Sequence, residues 1–79
     1  MELMELTPLT EQVADLIRQY THGRVRNLDV KELRGRVEVR GEVRTRYTKQ
    51  LALEAALKML TGDRLRERIV VVGRQVRVS

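Results

Sequence analysis

A chain of 79 residues holds one domain, and at this size folding buries only roughly 60% of the surface the unfolded chain exposes, so a second domain is excluded and the core is expected to be lean. With 42% hydrophobic and 34% charged residues, the composition is that of a globular domain with a heavily charged surface and not of a disordered chain. The absence of cysteine excludes a disulfide framework and a thiolate metal site, while the formal charge of +5, from 16 basic against 11 acidic residues, makes the body of the chain basic.

The charge is unevenly spread. Glu2, Glu5, Glu11 and Asp15 precede every basic residue, and the basic groups that follow are mostly arginine. No stretch approaches the roughly 20 apolar residues of a membrane-spanning helix, and residues 1–6 lack the basic-then-apolar pattern of a signal peptide. As written, the chain is expected to stay where it is made, as one domain over residues 1–79 with a core of about 9–72 and extensions at 1–6 and 73–79.

Thr7-Pro8 signals a helix start: a threonine side chain caps free backbone N–H groups, and proline is preorganised for the first helical position. Leu9, Val13, Leu16, Ile17 and Tyr20 then fall within about a 100° arc of a helical wheel. This predicts a one-sided helix ending near His22-Gly23.

Residues 25–44 predict a β-hairpin. With Arg34-Gly35 as a two-residue turn, Val30 faces Val39 and Leu28 faces Gly41, while Lys31, Asp29 and Asn27 face Glu38, Arg40 and Glu42. Val37, Val39 and Val43 point to the core in this register, and Glu32 falls at its rim.

From Thr48, read as a cap, a second helix is expected to run to about Leu60, with Gly62 as a left-handed C-terminal cap. Its apolar residues, from Leu51 to Leu60, cover about 240° of the wheel, so it is expected to lie between the sheet and the first helix, its alanines allowing close approach. A final strand over residues 69–72 has apolar residues at both parities, continued by Val76 and Val78. The expected fold is α+β in the order αββαβ, with two helices packed on one face of a three-stranded mixed sheet. Strand order is left open.

The segment Gly35-Arg36-Val37-Glu38-Val39-Arg40-Gly41-Glu42-Val43, followed by a helix bearing Lys49, Ala52, Ala55 and Ala56 and then Gly62, resembles the BON domain family over roughly residues 9–72. The family pattern places a glycine and two valines before the last strand, where this chain has Gly62-Asp63-Arg64 and then Leu65. The resemblance implies a bacterial, non-enzymatic binding module associated with phospholipid or envelope surfaces, found as an accessory domain in exported proteins. It gives Gly35, Val37, Val39, Gly41, Val43, Ala52, Ala56 and Gly62 structural roles. An envelope location follows if the chain is part of a larger exported protein.

No catalytic apparatus can be assembled from the sequence. His22 has no cysteine or carboxylate at ligand spacing beside it, serine occurs only as Ser79, and Thr7, Thr48 and Thr61 sit where caps are needed. The glycines form no phosphate-cradling string. No enzyme activity, metal or cofactor is therefore expected. Gly41, inside a strand, is expected to make room for the second helix.

The alternating stripe Arg36, Glu38, Arg40, Glu42, Arg44 reads as a self-neutralising solvated face. The better anion-contact candidates are Arg44, Arg46 and Lys49 after the second strand and Arg64, Arg66 and Arg68 before the third, one group at each end of the second helix. Three or four such residues support weak, salt-sensitive adhesion to anionic lipid. RNA binding is disfavoured, since the chain has no G-x-x-G clamp and only two tyrosines for stacking. A protein partner or homo-oligomer is the alternative, through Val70, Val71, Val72, Val76 and Val78, because whichever parity of the last strand faces the helices, the other is left over.

Overall fold

The computed structural model describes residues 8–72. The elements run α1 (Leu9–Thr21), β1 (Arg26–Leu33), β2 (Arg36–Val43), α2 (Arg46–Met59), a single 3-10 turn (Gly62–Arg64) and β3 (Leu65–Val71). The sheet order is β1-β2-β3, with β1 antiparallel and β3 parallel to β2. The α+β fold and the αββαβ order are those expected.

Helix α1 buries Val13 and Ile17 completely, with Leu9, Leu16 and Tyr20 packed partly exposed around them. Pro8 occupies the capping position itself and makes no side-chain cap bond, one place earlier than expected, while Thr7 lies outside the described residues. At the other end His22 and Gly23 both turn left-handed, with φ of 56° and 75°, and the Gly23 N–H donates to the Arg18 carbonyl at 2.9 Å. That bond satisfies a carbonyl the helix leaves open.

The hairpin closes through Arg34 (φ 53°) and Gly35 (φ 81°), the paired left-handed geometry whose twist matches that of the strands. Val30 pairs with Val39, Lys31 with Glu38 and Asp29 with Arg40, as expected. Further out the register slips by one. Asn27 takes φ 55° as a bulge, so Arg26 and not Asn27 opposes Glu42. The bulge folds Val25 over Gly41, where a Cβ would stand 2.5 Å from Val25 Cγ1. The close neighbour of Gly41 is therefore this side chain of the hairpin and not the second helix.

Helix α2 is capped three residues earlier than expected. Thr45 is its cap, its Oγ1 accepting from the Thr48 N–H at 3.1 Å, and the two hydroxyls are 3.0 Å apart. Ala52, Ala55 and Ala56 are buried, but Leu57 is 50% exposed, so the buried face is narrower than the wheel suggests. The helix does not lie between α1 and the sheet. The helices sit side by side, with α1 against β1, α2 against β3 and each against the other. Its end is extended at Leu60, and Gly62 opens the 3-10 turn instead of forming a left-handed cap.

Strand β3 starts at Leu65, four residues before the expected Ile69, and aligns Val37 with Leu65 through to Val43 with Val71. Leu65, Glu67 and Ile69 face the helices, and Ile69 is 3% exposed. Glu67 holds this charged stretch in place on that side: it pairs with Lys49 Nζ at 3.4 Å and accepts from the Ile69 N–H at 2.7 Å. The core joins Val13, Ile17, Val37, Val39, Val43, the α2 alanines, Leu60 and Ile69. Its largest fully buried side chain is Ile17, as the lean core of a small domain requires.

Candidate anion-binding face

Side chains alternate along a strand, so burying Val37, Val39 and Val43 turns Arg36, Glu38, Arg40 and Glu42 to the face without helices. Register then fixes their neighbours. Lys31, Glu38 and Arg66 form one row across the sheet, Asp29, Arg40 and Arg68 the next, and Arg26, Glu42 and Val70 the third, with Arg36 opposite Leu33 at the turn end. Among the described strand residues, the cations Arg26, Lys31, Arg36, Arg40, Arg66 and Arg68 share this face with the carboxylates Asp29, Glu38 and Glu42. The stripe on β2 is balanced by itself, as the sequence suggests, but β3 adds two arginines and no carboxylate to this face. The face as a whole is basic.

Glu38 is the hub of the pairing. Its carboxylate lies 3.7 Å from Arg40 Nε and 3.5 Å from Arg68 Nε, and its side chain is only 13% exposed. Lys31 reaches Asp29 at 3.8 Å. Among the described residues, Arg26, Arg36 and Arg66 have no carboxylate within ion-pair distance. A groove of about 620 Å³ opens between the hairpin turn and β3, lined by Leu33, Arg34, Arg36, Glu38, Arg66 and Arg68.

The edge of this groove is pinned by the 3-10 turn. Arg64 Nε donates to the Gly35 carbonyl at 3.0 Å, tying the entry of β3 to the hairpin turn. Beside it, a hydrogen bond from the Thr61 side chain holds the Asp63 carboxyl below its ordinary pKa, helped by a backbone bond and by the charges of Arg36 and Arg64.

The six basic residues singled out in the sequence do not form one patch. Arg66 and Arg68 lie within β3, on the face away from the helices, and not before that strand at an end of α2. Arg64 is engaged with Gly35 and Lys49 with Glu67. Arg46 lines a cleft of about 560 Å³ between α2 and β3, together with Lys49 and the β3 valines. Arg44 lines a further groove of about 620 Å³ with Arg24, Arg26, Thr45, Tyr47 and Thr48. Arg24, Arg26 and Arg36 are the residues sequence reasoning missed, since their surroundings depend on β3 and on where the ends of β1 and β2 meet. Val70, Val71 and Val72 are 54%, 38% and 45% exposed, and Val76 and Val78 lie outside the described residues.

Among the described residues there is no cluster of three histidine or acidic side chains suited to a metal, and no helix is long and apolar enough to cross a membrane. Comparison with family models, with curated proteins and with solved structures finds no match for this chain.

Proposed function

We propose that this chain is a non-enzymatic binding module of BON type that engages an anionic phospholipid surface through its open sheet face. The observation that carries this reading is the surplus of cations on that face, where, among the described residues, Arg26, Arg36 and Arg66 have no carboxylate within ion-pair distance. Leu33 and Val70, each about half exposed, give the same face shallow apolar contacts beside the guanidinium groups.

Each basic side chain near an anionic membrane contributes about 1 kcal/mol, so three unpaired arginines give about 3 kcal/mol, or roughly a hundredfold preference over neutral lipid. The contact is peripheral, because the chain has no tryptophan or phenylalanine to act as a wedge. Single-stranded nucleic acid is the poorer partner. Tyr20 packs on α1 against the core, which leaves Tyr47 as a single exposed ring beside the basic residues, where successive bases need several stacking platforms.

The test is co-sedimentation of the chain with neutral and with anionic vesicles at low and moderate salt. Binding to anionic vesicles that fades with salt is expected. No binding to either would remove the lipid reading, and tight binding to RNA in its place would transfer the same face to a different partner.

A second reading rests on a different observation: β3 is an edge strand, and Val70 and Val72 leave apolar surface beside its unpaired edge. A homo-oligomer or protein partner would add a strand there. A defined dimer by light scattering, converted to monomer by Val70→Lys, supports that reading, and a monomer at all concentrations counts against self-association.

A further inference from the structure

We infer that the groove at the outer end of β2, away from the hairpin turn, binds a phosphate monoester dianion through Arg24, Arg26 and Arg44. These residues come from two separate stretches of chain, one before and within β1 and one after β2, yet they line a single groove. The Asn27 bulge sets Arg26 opposite Glu42, and Arg24 and Arg44 lie just beyond the paired ends of β1 and β2, on the same groove.

Three like charges lining one groove repel one another, so this arrangement favours a counter-anion between them. Among the described residues, no carboxylate lines the groove and none of the three arginines forms an ion pair. Glu42, the nearest by register, is not within ion-pair distance of Arg26. Guanidinium groups present paired N–H donors that match phosphate oxygens, and three of them suit a doubly charged group.

Two further features suit an ester. The hydroxyls of Thr45 and Thr48 share one hydrogen bond, which leaves one O–H of the pair as a donor. Tyr47 is 71% exposed beside the arginines, so its ring is placed to cover the carbon skeleton attached to the phosphate. The groove lies eight residues along the chain from Arg36, about 26 Å in an extended strand, and so is separate from the groove at the hairpin turn. The phosphate can belong to a soluble monoester or to a lipid headgroup. In the second case the inference rests on the membrane reading above; in the first it does not.

The experiment uses the full chain in two arms. Inorganic phosphate is titrated at moderate salt while the arginine Nε–H resonances and the Tyr47 amide are followed by NMR. In parallel, binding is compared between neutral vesicles doped with phosphatidic acid and vesicles of the same surface charge made with phosphatidylglycerol, a diester. Saturable shifts at Arg24, Arg26 and Arg44, with a dissociation constant on the order of 1 mM or tighter, support the site for a free phosphate. A preference for phosphatidic acid vesicles supports it for a headgroup.

In either arm Arg44→Gln is expected to weaken binding by about tenfold or more, the loss of one charge-assisted hydrogen bond, with Lys58→Gln, at an exposed position of α2 outside the grooves, within about twofold of the wild type. Both variants change exposed side chains, and the same spectra verify that they fold. Equal effects of the two variants, or neither saturable phosphate shifts nor a monoester preference, would overturn the inference. General adhesion to anionic vesicles without any monoester preference or phosphate shift overturns it while leaving the membrane reading intact.

Discussion

Neutralising Glu38 is expected to strengthen membrane binding, although it removes two ion pairs. In the native chain its carboxylate lies within 4 Å of both Arg40 and Arg68 and offsets part of their charge toward anything approaching the open face. Glu38→Gln keeps the shape of the side chain and releases one unit of positive charge. At about 1 kcal/mol per charge near an anionic surface, the partition coefficient onto anionic vesicles should rise about fivefold. Both arginines are 55% exposed, so each pair contributes less than about 1 kcal/mol to folding and the variant should remain folded.

The control is Glu54→Gln, which makes the same change in net charge at an exposed position of α2. Partitioning is measured by co-sedimentation across a lipid titration at fixed salt. A fivefold gain for Glu38→Gln with little change for Glu54→Gln is the expected result. Equal gains would show that net charge governs the attraction and not the face, and a loss for Glu38→Gln would refute the reasoning.

Three more outcomes follow from particular contacts. Gly41→Ala should destabilise the fold by about 1–3 kcal/mol in urea unfolding, and this cost should shrink in a Val25→Ala background; equal costs in both backgrounds would mean Val25 is not the obstacle. Thr45→Ala should cost about 1 kcal/mol while Thr45→Ser costs much less, and no difference between the two would contradict the cap. Asp63 should titrate below its ordinary value of 3.8, so its contribution to stability is present above that pH and is lost as pH falls through the lower, folded value. Thr61→Ala should move its NMR midpoint upward, and an unmoved midpoint would rule out the hydroxyl as the main cause.

The hairpin was legible because its evidence is redundant: alternation of valines, opposite charges across the strands and a turn glycine agree on one register between Asp29 and Arg36. The slip beyond that point was not. Asn27 tolerates a left-handed backbone more readily than most residues, but it also fits an ordinary strand, and only the packing of Val25 over Gly41 distinguishes the two. Strand β3 was read short because its first half is charged on both faces, and what admits Glu67 to the helix side is a partner 18 positions away, Lys49. The cap at Thr45 competed with an equally suitable threonine at Thr48, and the sequence does not rank them.

The same non-local dependence decided the candidate site. Within β2 the charges alternate and cancel, so no local pattern marks an anion-binding face. Most of the surplus arises when the parallel strand brings Arg66 and Arg68 to the other edge of β2. Likewise Arg24 and Arg44 stand 20 positions apart and line one groove only in the folded chain. Of the six basic residues that stand out in the sequence, Lys49 and Arg64 are engaged within the fold, while Arg66 and Arg68 join the open face and Arg44 lines the groove with Arg24 and Arg26.

The most direct test asks which face meets the membrane. The chain contains no cysteine, so Leu33→Cys on the open face and Leu57→Cys on α2 each introduce a single labelling site at positions that are both 50% exposed. With a fluorophore on each and a quencher attached to the lipid headgroups of anionic vesicles, quenching is expected at Leu33→Cys and not at Leu57→Cys. Quenching at Leu57→Cys alone would place the membrane against the helices and contradict the proposed orientation.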